Sequence, residues 1–122
     1  MSLTIAFYNK QHLVNDSESL WRRIHVSWVK KNPQNMYCPS SAAFKGTDIS
    51  VDIASKTTPQ KSIRNSTALA GFLAAVPKKL GHQVIEAPIP DNAAHALIKG
   101  KITKAEAHQI ATSCNWVIEP PQ

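Results

Sequence analysis

The sequence predicts an α+β fold of the ferredoxin-like βαββαβ kind: two helices on one face of a mainly antiparallel sheet, preceded by an N-terminal extension. Three observations predict it. Ile49, Val51 and Ile53 alternate with Ser50, Asp52 and Ala54, the period of two of a strand with one buried face. Leu69, Phe72, Leu73, Val76 and Leu80 then fall at helical spacing. Last, Thr103-Lys-Ala-Glu106 is a capping box ahead of Ala107, Ile110, Ala111 and Cys114, the apolar stripe of a second helix.

The elements follow in order. Before the core, Ile24, Val26 and Trp28 alternate with Arg23, His25 and Ser27. The β-branched and aromatic residues favour a strand over a helix capped by Asp16 and lined by Trp21, Ile24 and Trp28. The stretches Asn32 to Ser41 and Thr57 to Asn65 carry prolines among polar residues and read as loops. Ser66 is placed to cap the first helix and Gly81 to end it, with Pro77 kinking or stopping its last turn. Gln83 to Ile89 reads as a strand, and Pro88 assigns it to a sheet edge. Pro90 to Asn92 turns the chain into a second strand, Ala94 to Lys99, giving an antiparallel hairpin. Trp116 to Ile118 forms the last strand and Pro120-Pro121 ends it.

The 122 residues suit a single domain, with residues 1–45 as an extension containing a loop and 46–119 as the core. Fourteen Lys and Arg against eight Asp and Glu give a net charge of +6, which favours anionic partners: RNA, DNA, a nucleotide or an acidic protein surface. Most of these cations are lysines, solvated point charges rather than bidentate forks. Cys38 and Cys114 form no metal-binding array, and whether they pair stays open. Met1 to Lys10 has no basic segment followed by a long apolar one, so a cytoplasmic protein is expected. The longest apolar run, Leu69 to Val76, is too short to cross a bilayer. Phosphate-binding glycine loops, zinc-protease and hydrolase motifs are absent, and the carboxylates are scattered singly, so neither cofactor nor metal is expected.

Five features bear on function, each with a plainer alternative. Arg22-Arg23, near Trp21, His25 and Trp28, offer planar cations beside aromatic faces to a phosphate-bearing ligand; otherwise they line the surface. Ser40-Ser41 supply hydroxyls and backbone N–H groups for a phosphate, or a nucleophile, or simply a turn. Asp52 is a ligand-orienting carboxylate or an exposed charge on the sheet, and exposure is favoured. His95, between small alanines after a tight turn, is the candidate catalytic acid or base, or a histidine that fixes the hairpin through a loop carbonyl. Lys99, Lys101 and Lys104 surround the start of the second helix, where free N–H groups attract anions; this is the favoured anion-binding spot.

Taken together, Leu20-Trp-Arg-Arg-Ile24, Ser40-Ser-Ala-Ala-Phe44, Ser50-Val-Asp52, Asp91-Asn-Ala-Ala-His-Ala96, Gly100-Lys101 and Trp116-Val117 resemble a family of short, stand-alone bacterial proteins without an assigned activity. The resemblance implies no cofactor, reaction or catalytic residue. A binding module for an anionic ligand is therefore the first expectation. A protein-interaction subunit or homodimer comes second, and a metal-independent enzyme acting on a phosphate-bearing substrate third.

Overall fold

Backbone pairing decides how the expected elements assemble. The structure is a computed structural model that describes residues 12–121. Its strands are β1 (Ser19–Ile24), β2 (Val29–Lys31), β3 (Tyr37–Pro39), β4 (Gly46–Ile53), β5 (Ala68–Leu73), β6 (Val84–Glu86), β7 (His95–Ile102) and β8 (Asn115–Ile118). Its helices are α1 (Pro59–Ile63), α2 (Ala75–Lys79) and α3 (Lys104–Ser113), and single 3-10 turns lie at Val26–Trp28, Ser41–Ala43 and Ala54–Lys56. Six strands form one sheet in the order β6-β7-β4-β1-β5-β8, each neighbouring pair antiparallel. The short β2 and β3 pair separately. The protein is thus α+β with a mainly antiparallel sheet, and α2 and α3 pack together on one of its faces.

Several elements fall where the sequence places them. The Thr103 hydroxyl accepts from Glu106 N–H while the Glu106 carboxylate accepts from Thr103 N–H, and Ala107, Ile110 and Ala111 are buried beneath the helix that box starts. The β6–β7 hairpin forms, and β6 is one of the two end strands of the sheet, its outer side meeting Leu13 opposite Ile85. Gly81, at φ 96°, turns the chain out of α2.

Other expectations are corrected. The single helix from Ser66 to Gly81 is instead a strand, β5, followed by the short α2. Ala68, Leu69, Ala70, Gly71 and Phe72 are all buried, so β5 is covered on both faces and shows no alternation that would mark it as a strand. Pro77 sits in the first turn of α2, where its missing N–H breaks no helical hydrogen bond. The strand favoured at Ile24 to Trp28 lies earlier, in β1, and Val26–Trp28 is a 3-10 turn capped by His25. Nor is the N-terminal portion an extension: β1 occupies the middle of the sheet, between β4 and β5. The two expected loops contain β3 and α1.

Alternation then sorts the side chains. Leu20 and Ile24 of β1, Val51 and Ile53 of β4, Ala70 and Phe72 of β5, and Ala96 and Ile98 of β7 join Phe44 and the buried residues of α3 in the core. Phe44 meets Phe72 edge to face at 5.6 Å. The reverse face carries Trp21, Asp52 and His95, which the register places side by side across β1, β4 and β7. Gly71 stands opposite Trp21 in β5, where a Cβ would come within 2.9 Å of Val117 Cγ2 and 3.2 Å of Trp21 Cδ1.

Candidate functional site

Arg22 and Arg23 are neighbours on a strand, so they project to opposite faces. Their surroundings differ accordingly. β1 and β4 pair only through Leu20↔Ile53 and Trp21↔Asp52, leaving Ser50 without a β1 partner. Arg22 fills that wedge: its Nη1 donates to Ser50 O at 2.9 Å and its Nε to Ala43 O at 3.0 Å, with its guanidinium 5.4 Å from the Trp28 ring centroid. Burial, reinforced by repulsion from Arg23, lowers the Arg22 pKa to about 10. Ser40 and Ser41 belong to this cluster through the turn that presents Ala43 O, and Ser40 N–H donates to Trp28 O.

The second cluster lies on the reverse face. Asp52 is 1% exposed, which corrects the expectation of an exposed charge. Its Oδ2 accepts from Arg23 Nη1 at 3.1 Å and Ser62 Oγ at 2.7 Å, and its Oδ1 accepts from Asn92 Nδ2 at 2.8 Å. Arg23 Nη1 also donates to Ser62 O at 3.0 Å. A strand, a helix and a turn are thus tied to one carboxylate. His95 stands beside Asp52 in register, and its Nδ1 lies 2.7 Å from Ala87 O, the loop-carbonyl contact that fixes the hairpin. Ser40 and Ser41 sit with Arg22 while His95 sits with Asp52, so neither of these two serines is brought to His95. Among the described residues, no group of three His, Cys, Asp or Glu is placed to hold a metal ion, and no helix is long and apolar enough to cross a membrane.

The start of α3 is already occupied by the protein's own groups. Thr103 and Glu106 cap it, and the Glu106 pKa is lowered by the Thr103 N–H and by His82. Lys99 pairs with Asp48 at 3.1 Å, and Asp48 also accepts from Gly100 N–H, the largest cause of its lowered pKa. Lys101 and Lys104 are different: among the described residues neither has an ion-pair partner, and both are exposed. Because Gly46 pairs with Ile102 and Thr47 with Lys101, the exposed Lys45 comes to the same end of the β4–β7 ladder. Lys45 escaped the sequence reading because only strand register brings it there.

A further feature, also unmarked in the sequence, lies where the β2–β3 hairpin meets β8. Trp116 Nε1 donates to Tyr37 O at 3.1 Å, fixing two aromatic residues side by side. A groove of about 310 Å³ on one side of them is lined by Lys31, Asn35, Met36, Glu119 and Pro120. One of about 350 Å³ continues past Cys38 and Cys114. Both cysteines are free thiols, and burial raises the Cys114 pKa to about 12. No protein-family model, curated protein or solved structure matches the chain.

Proposed function

We propose that the protein is a small binding module for an anionic ligand of the nucleic-acid or nucleotide class. Its scaffold on this reading is a ferredoxin-like βαββαβ unit, β5-α2-β6-β7-α3-β8, whose centre has been opened to admit β1 and β4. The resemblance to short, stand-alone bacterial proteins belongs to the same proposal and adds no residue to it. The observation that carries the reading is the pattern of ion pairing. Asp16, Asp48, Asp52, Glu86 and Asp91 are matched to Lys78, Lys99, Arg23, Lys56 and Arg64. What remains includes Lys45, Lys101 and Lys104 gathered at one end of the sheet, and Lys30 and Lys31 on the hairpin, all exposed and unmatched among the described residues. Excess positive charge in exposed groups is the form that attracts phosphates and releases counterions.

Retention of RNA, DNA and inorganic polyphosphate, measured across a salt series, tests the proposal. The expected result is binding that weakens steeply with salt. Lys101→Glu with Lys104→Glu should flatten the log-log slope by about two units if each contacts one phosphate. Absence of binding to all three polyanions at low salt would overturn the reading.

A further inference from the structure

We infer that the trough flanking Tyr37 and Trp116 is a base-stacking site for a single-stranded oligonucleotide. The inference rests on the anion-binding reading above and narrows it to one place and one ligand. Stacking needs an aromatic face held still and partly open to solvent. Tyr37 and Trp116 are both partly buried, Trp116 packing against the core, and the indole N–H is spent on the Tyr37 carbonyl, so the indole is anchored to the hairpin before any ligand arrives. Lys31, the cross-strand partner of Tyr37, holds its Nζ over the tyrosine ring, 5.4 Å from the centroid, a cation already on one face of that ring. Met36, 65% exposed, adds an unbranched, polarizable side chain that adapts to different bases.

Two features select an extended strand as the occupant. The grooves of about 310 and 350 Å³ share Met36, Tyr37 and Trp116, so they are adjoining compartments of one open trough rather than a closed pocket. A chain of bases suits such a trough, with successive bases in adjoining compartments. The charges fit as well. Lys31 has no carboxylate partner among the described residues, which suits a phosphate of the backbone, and the Glu119 carboxylate in the first groove is an acceptor for a ring N–H of a base such as uracil N3–H. Lysine point charges with aromatic faces give affinity without strict sequence preference.

The test is fluorescence anisotropy with a labelled oligouridylate of about ten nucleotides, within the usual site size of an aromatic platform. Tyr37→Leu keeps the backbone carbonyl that holds Trp116 and should weaken binding at least about fivefold, the loss of one modest stacking contact. Tyr37→Phe should bind like the wild type, and its retained affinity separates loss of the ring from loss of the fold. Lys31→Glu should weaken binding and reduce its salt dependence. Unchanged affinity in Tyr37→Leu, with a loss in the Lys101→Glu/Lys104→Glu variant, would overturn this inference and leave the anion-binding reading standing. So would binding of polyphosphate without binding of the oligonucleotide. Uridine monophosphate competing as well as the oligonucleotide would overturn the assignment to an extended strand. Failure of oligonucleotide and polyphosphate alike at low salt would overturn both.

Discussion

Replacing Asp52 by alanine removes the acceptor for three donors at once: Arg23 Nη1, Ser62 Oγ and Asn92 Nδ2. Breaking a buried pair from one side costs about 3–5 kcal/mol when the other charge stays buried. Here Arg23 keeps 26% of its side chain exposed and can turn partly to water, while Ser62 is buried and cannot, which places the cost near the lower end, about 3 kcal/mol. Asp52→Asn preserves shape and one carbonyl oxygen but must aim an N–H₂ group at a donor, so about 1.5–3 kcal/mol is expected. Urea unfolding followed by tryptophan fluorescence measures both. With a slope of about 1.5 kcal/mol/M, the alanine variant should lose about 2 M in midpoint. A double-mutant cycle of Asp52→Asn with Arg23→Met should show coupling above about 0.5 kcal/mol. An alanine variant within about 0.5 kcal/mol of wild type would refute the claim that this carboxylate ties β4 to β1, α1 and the turn before β7.

Three further outcomes are expected. His82 lies between two acceptors, Lys99 O at 2.7 Å and Glu106 Oε1 at 3.1 Å, so only the doubly protonated ring satisfies both. Burial acts to lower its pKa, but these acceptors outweigh it and raise the pKa overall. The stabilisation is therefore present below the ordinary histidine pKa and fades as pH rises through the raised one; denaturation across that window should show a fall that His82→Gln abolishes. Gly71→Ala should destabilise by about 1–3 kcal/mol, because the added methyl meets Val117 and Trp21, and a neutral result in urea unfolding would mean that the strands shift freely. Thr103→Ala should cost about 1 kcal/mol through loss of the cap on α3, read as a lower thermal midpoint.

The sequence signals that held were local ones. A capping box is written within four residues, and β6–β7 is a hairpin whose two strands lie within one short stretch of chain. The failure at Ser66 to Gly81 has a definite cause. A strand buried on both faces carries apolar residues on each, and Ala68-Leu-Ala-Gly-Phe72 then matches helical spacing as well as any pattern does. Asp52 misled for a related reason. Alternation correctly placed it opposite Ile49, Val51 and Ile53, but Ser62 and Asn92, distant in sequence, cover it there. Likewise Lys45 beside Lys101, and Tyr37 beside Trp116, are products of register and tertiary packing.

The placement of β1 links this misreading to the chemistry. A strand admitted between β4 and β5 that pairs with β4 at only two positions leaves a wedge of unpaired backbone, and an arginine is long enough and rich enough in donors to fill it. Arg22 closes the gap from the core side, while Arg23 neutralises the carboxylate on the reverse face. Both side chains that looked best suited to gripping a phosphate are thereby engaged in holding the centre of the sheet together, and Arg64 pairs with Asp91. The cations left without a carboxylate among the described residues are lysines, and Lys31 lies beside the partly buried rings of Tyr37 and Trp116. Point charges and ring faces favour recognition by charge density and stacking over bidentate reading of particular groups. On the proposed reading, this division of labour leads to tolerance of base identity together with strong dependence on salt.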